Sequence, residues 1–192
     1  MGDDVPPRRE FIERNAKSVD AITKAFQEGR DPDGTGPNPP RGMVIFFAAG
    51  NESRELHRGF GLEALPQVIA VGASTIDDKV SGFSNFGPDV DFLAPGGDNF
   101  RANIATPDVD DAAEYLTSGY NVGGFPFGFD LPDLGPDIDP DGLYTRFFGG
   151  TSAASPIAAG VAALILSVNP DLTATDVRVT MEHTCDKIDA AN

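Results

Sequence analysis

The chain has 192 residues, enough for one domain of about 150 residues or for part of a larger one. With 40% apolar and 23% charged residues, its composition excludes a disordered polymer. Thirty acidic against fourteen basic residues give a net charge of −16, with Asp outnumbering Glu 22 to 8. Such a surface repels phosphate backbones and anionic membranes, so neither nucleic acid nor a membrane is the expected partner.

Residues 8–28 space Ile12, Ala16, Val19, Ile22 and Phe26 three or four apart, which predicts an amphipathic helix stopped at Gly29. Residues 30–42 form a Pro/Gly loop. Met43–Ala49, Gln67–Ala73 and Asp91–Ala94 are short continuous apolar runs, the pattern of parallel strands covered on both faces. Residues 102–145 hold nine acids and no Lys or Arg, are rich in Gly, Pro and Phe, and lack a period. They read as a long acidic loop inserted in a single domain over residues 1–192. Within the loop, Phe125, Phe127 and Phe129 read as anchors rather than as a cleft lining. Residues 152–167 are small along one stripe and apolar elsewhere, which predicts a helix buried nearly all round. Thr173-x-x-Asp176 predicts the cap of a last helix running to about Thr184. The order of elements argues for an α/β layered fold. The first twenty residues lack the apolar core of a signal peptide, and the single Cys185 excludes an internal disulfide.

Three segments could carry chemistry. Ser152 follows Gly149, Gly150 and Thr151 at the start of the small-residue helix. Free N–H groups and the positive end of the helix dipole there favour an anion, and the glycines admit a substrate backbone. By residue type alone, Ser152 is a nucleophile or a helix cap. Asn51, in Ala48-Ala49-Gly50-Asn51-Glu52, follows a strand at the end of a parallel sheet where ligands bind. Its amide could face an oxyanion, or Asn51 could simply be a turn residue. Asp137, Asp139 and Asp141 alternate before Gly142 like the first half of a calcium loop. The acid that would complete such a loop is replaced by Phe148, which leaves calcium and a solvated acidic turn as alternatives. The Gly-x-Gly pairs at Gly34 and Gly59 do not complete a phosphate loop.

Together, AAGNE (48–52), LPQVIAVGAS (65–74), SGFSNFGPDVDFLAPG (81–96) and GTSAASPIAAGVAALIL (150–166) resemble the subtilisin-like serine peptidases. The match runs in the family's order over roughly residues 8–188. The resemblance implies a three-layer α/β sandwich with a parallel sheet and a polypeptide substrate. It implies that Ser152 attacks the scissile carbonyl and that the Asn51 amide and the Ser152 N–H bind the oxyanion. It further implies that Ala48, Ala49 and Gly50 line the pocket for the residue before the cleaved bond, with Glu52 at its rim favouring a basic side chain. Residues 82–87 and the loop after Gly96 become structural turns. No cofactor is needed for the chemistry. Structural calcium and secretion are family traits.

The family's catalytic Asp and His both precede the oxyanion asparagine, yet the 50 residues before Asn51 contain no histidine. His57 and His183 stand outside any H-G-T segment and read as structural. The chain is therefore expected to be the later part of such a domain, incomplete at its N-terminal side and with negligible activity alone. Its open sheet edge would be completed by the missing N-terminal half or by self-association. The alternative is a non-catalytic remnant acting as a peptide- or calcium-binding module.

Overall fold

The computed structural model describes residues 8–31, 34–36, 40–56, 61–97, 106–107, 144–145 and 149–188. Its centre is a parallel sheet of β1 (Phe46–Ala48), β2 (Ile69–Ser74) and β3 (Phe92–Pro95), in that order. Phe46 pairs with Ile69 in one ladder and Val71 with Phe92 in the other. Every residue of β2 is buried, because β2 is flanked by strands and covered on both faces. β1 is shorter than its apolar run, although the Ile69 N–H bonds the Ile45 carbonyl (2.8 Å) and the Ala49 N–H bonds that of Val71 (2.9 Å). Those bonds face β2, so the alternate residues Phe46 and Ala48 turn their own backbone groups toward the side on which no further strand pairs among the described residues.

Successive residues of β2 divide between two cores. Ile69, Val71 and Ala73 face Phe83, Phe92 and Ala94, under Ala154, Ala158 and Ala162 of helix α3 (Thr151–Val168) and Val177 and Met181 of helix α4 (Ala174–Thr184). Ala70 belongs to a smaller cluster with Ala49, Leu56 and Ala64, the last in a 3-10 turn over Leu62–Ala64.

The first helical stretch is interrupted. α1 (Arg8–Arg14) and α2 (Ala16–Glu28) meet at Asn15, whose side-chain amide and backbone N–H both donate to the Phe11 carbonyl (2.9 and 3.0 Å). The side chain competes there for a helical acceptor. The capping box of α4 forms as its spacing predicts: Thr173 Oγ1 accepts from the Asp176 N–H (3.1 Å), and Asp176 Oδ2 accepts from the Thr173 N–H (2.9 Å). α4 is held to the sheet through Arg178, which pairs with the part-buried Asp91 and donates to the Pro66 carbonyl (3.1 Å). Asp91 in turn accepts from the Ala70 N–H (2.7 Å).

Two features depart from the predicted pattern. β4 (Thr106–Pro107) pairs antiparallel with β5 (Tyr144–Thr145), so the two ends of the acidic stretch meet. α3 is not buried all round: Val161, Leu164 and Val168 are 45%, 68% and 86% exposed, one helical turn apart. By length and composition α3 could cross a membrane. Its inner stripe, Ala153, Ala154, Ala158 and Ala162, is nonetheless seated on the sheet, as in a core helix.

Candidate active site

The C-terminal end of the sheet gathers three loops. Gly50 and Asn51 follow β1, Gly96 follows β3, and Gly150 opens α3. The Gly150 N–H donates to the Gly96 carbonyl (2.9 Å), and the Gly96 N–H donates to that of Ser74 (3.0 Å). A side chain at Gly96 would collide with Ala73 and with the Gly150 carbonyl, so only glycine lets β3 and α3 approach this closely. Gly150 caps α3 at φ +86° and ψ −178°, a conformation nearly confined to glycine.

Thr151 is the first helical residue and is fully buried. Its N–H and its Oγ1–H both donate to Asn51 Oδ1, each at 2.9 Å, and its Oγ1 accepts from the Gly50 N–H at 3.2 Å. A backbone N–H can only donate, so the atom it meets must be the carboxamide oxygen. Asn51 Nδ2 is thereby the free end of the amide and has no hydrogen-bond partner among the described residues. Ser152 is the second helical residue. It is exposed, its Oγ has no hydrogen-bond partner among the described residues, and its N–H lies in the turn that lacks intrahelical acceptors. Gly150, not Ser152, occupies the cap position.

The other sequence-predicted residues fall around this pair. Ala48 ends β1 half-buried, and Ala49 points into the smaller core, so Ala49 can offer a ligand only its backbone. Gly50 has φ +103°, and a side chain there would strike Asn85 and Glu52. The half-exposed Glu52 carboxylate accepts from Asn85 Nδ2 (2.7 Å) and lies 3.8 Å from Arg54. His183 is exposed in the last turn of α4 and makes no hydrogen bond among the described residues. His57, Asp137, Asp139 and Asp141 lie outside the described residues, as do Phe125, Phe127 and Phe129. Among the described residues no three His, Cys, Asp or Glu side chains form a group able to hold a metal.

Thr151, Ser84 and Asn85 were missed as parts of this arrangement. Ser84 Oγ accepts from the Ala73 N–H (3.0 Å) and donates to the Asn85 carbonyl (2.9 Å). The signal available was the polar pair Ser84-Asn85 inside an otherwise turn-like segment ahead of an apolar strand.

Comparison with known proteins bears on the fold and the family. The solved structures that share the fold include a cold adapted subtilisin-like serine proteinase (TM-score 0.55, 23% identity, 92% of this chain and 45% of that one). They also include a serine protease of Aeromonas sobria (TM-score 0.67, 18% identity, 92% of this chain and 31% of that one). Among curated relatives, a "Calcium-dependent protease" of Trichormus variabilis is 39% identical over 149 residues, 78% of this chain. "Serine protease AprX" of Bacillus subtilis is 32% identical over 159 residues, 76% of this chain. The chain spans 20% and 31% of the lengths of these two relatives. The sequence model of the Subtilase family matches residues 9–192, and the chain belongs to that family.

Proposed function

We propose that these residues form the nucleophile and oxyanion half of a serine endopeptidase site. The observation that carries this reading is the pair of Thr151 hydrogen bonds on Asn51 Oδ1, which leaves Nδ2 unbound beside the start of α3. Ser152 Oγ attacks the carbonyl carbon of the scissile peptide and passes its proton to a base. The oxygen that gains the charge is met by Asn51 Nδ2 and the Ser152 N–H. Collapse of the intermediate expels the amine, which takes up the proton, and water then releases the acyl group from Ser152. Ala48, Ala49 and Gly50 form a wall of the pocket for the residue before the cleaved bond, and Glu52 sits at its rim.

The base comes from polypeptide outside residues 1–192. In support, neither Ser152 nor His183 is engaged among the described residues, and the solved structures that share the fold are more than twice this long. A chain of residues 1–192 is expected to react with a fluorophosphonate no faster than its Ser152→Ala variant. Rapid labelling that depends on Ser152 would put the base inside this chain. In the protein as produced by its native source, Ser152→Ala should abolish casein hydrolysis and labelling together. Labelling that survives the substitution would remove Ser152 from the reaction.

Calcium is proposed as a structural ligand of Asp137, Asp139 and Asp141. Support comes from their alternate spacing and from the relative whose name states calcium dependence. Added calcium should raise the melting temperature and chelator should lower it; a transition indifferent to both removes the metal. Export from the cell is inferred from the family resemblance and the acidic surface. Recovery of the protein in the cell pellet alone would overturn it.

A further inference from the structure

Asn85 is wholly buried, and every hydrogen-bonding position of its carboxamide is directed at residues 49–54. Nδ2 donates to the Ala49 carbonyl (2.8 Å) and to Glu52 Oε2 (2.7 Å). Oδ1 accepts from the N–H groups of Glu52 (3.1 Å) and Arg54 (3.2 Å). Its own N–H donates to the Gly50 carbonyl (3.0 Å). Two donors and two acceptor sites are all that a primary amide offers.

The loop that carries Asn51 lies outside the helices and strands; its far end is tied to the segment around Asn85 by the Ser53 N–H on the Phe83 carbonyl (2.9 Å), the Phe86 N–H on the Arg54 carbonyl (3.1 Å) and a parallel bridge between Glu55 and Phe86, which leaves residues 49–52 to be set by other groups. Such a segment keeps one shape only where other groups bind its backbone. Asn85 binds it on both sides of Asn51, at residues 49 and 50 before and at 52 and 54 after. Thr151 then fixes the direction of the Asn51 carboxamide, while Asn85 fixes the backbone from which that carboxamide projects. A carboxylate at position 85 could not donate, and a shorter side chain could not reach both sides.

We propose that Asn85 is a positioning residue for the oxyanion-binding amide of Asn51. The proposal rests on the reading of Asn51 given above. The same side chain also restrains Glu52, so it sets the rim of the pocket as well as its oxyanion donor.

The test reads the loop itself by NMR and amide exchange on residues 1–192, with Asn51→Ala identifying the Asn51 side-chain signals. In the unsubstituted chain, the N–H groups of Glu52 and Arg54 should exchange at least about tenfold more slowly than that of exposed Ile76. Exchange as fast as Ile76 would overturn the proposal before any variant is made. Asn85→Ala should shift and broaden the Asn51 side-chain signals and speed exchange at Glu52 and Arg54, while Val71 and Leu93 stay protected. Asn85→Asp should do the same at neutral pH. It should recover in part as the pH falls and the introduced carboxyl takes up a proton, which restores one of the two donors that Nδ2 supplied. If both variants lower the melting temperature but leave the Asn51 signals and loop exchange unchanged, Asn85 only fills the core. Should the alanine variant fail to fold, the aspartate variant at two pH values still decides. None of these readouts requires Ser152 to react, so an inert Ser152 overturns the reading of the catalytic pair and leaves the positioning result intact.

Discussion

Thr151 and Gly150 show how much of the site depends on residues that take no part in the proposed chemistry. Replacing Thr151 with Val keeps the shape but removes the hydroxyl that serves both Asn51 Oδ1 and the Gly50 N–H. An unsatisfied buried donor costs about 1–3 kcal/mol, and urea unfolding should show a loss of that size. Gly150→Ala meets two penalties. The backbone conformation costs a side chain about 1–3 kcal/mol, and the new methyl would sit 3.2 Å from Asn51 Oδ1. The same denaturation measurement checks it, and a variant as stable as the parent would contradict the cap geometry. The GTS-x-A-S-P and AAGN segments single out Ser152 and Asn51 because they are distinctive in residue type and order, and the structure brings the two segments into contact. The role of Thr151 was not legible, because its partner lies 100 residues away and no local pattern encodes that contact.

At the scale of elements, α4 responds to pH through two acids that pull in opposite directions. Hydrogen bonds from the Thr173 side chain and backbone hold the Asp176 carboxyl below its ordinary range. Its cap therefore contributes stability above the unfolded-state pKa and loses it as the pH falls through the lower folded value. Asp91 is shifted the other way. Burial raises its pKa despite the Ala70 N–H and the Arg178 guanidinium, so its contribution weakens as the pH rises from the ordinary carboxylate range through the folded value. Between about pH 3 and 6, melting curves of Asp176→Asn should lose part of the acid sensitivity, and those of Asp91→Asn should gain it. Equal slopes for both variants would contradict this assignment. Thr173→Ala should cost about 1 kcal/mol by loss of the cap. The helices and strands were legible from period and capping residues, and the capping box formed where its spacing placed it. The break at Asn15 was not legible: the apolar stripe runs through it, while the side chain's bond to Phe11 is a local competition that periodicity does not register. β1 is shorter than its run because ladder length depends on its neighbour as well as on composition.

For the molecule as a whole, the outer stripe of α3 is the exposed apolar face through which copies are expected to associate. Val161, Leu164 and Val168 form an apolar strip on a chain of net charge −16. Leu164→Lys with Val168→Lys should lower the apparent mass in sedimentation. It should leave stability within about 0.5 kcal/mol, since both side chains are exposed. An unchanged mass would contradict association through this stripe. Hydropathy revealed that this face is apolar, yet it cannot reveal what covers an apolar face, so the expectation of burial all round did not hold.

The contact between residues 51 and 151 has a kinetic consequence. It joins the chain across about half its length, and such pairings form late because the intervening polymer must first be ordered. Under the proposed chemistry, a nascent or half-collapsed copy has its reactive hydroxyl without the amide that would tame the developing charge. On that reading, attack on neighbouring molecules is held back until folding brings the two groups together, a safeguard written into connectivity.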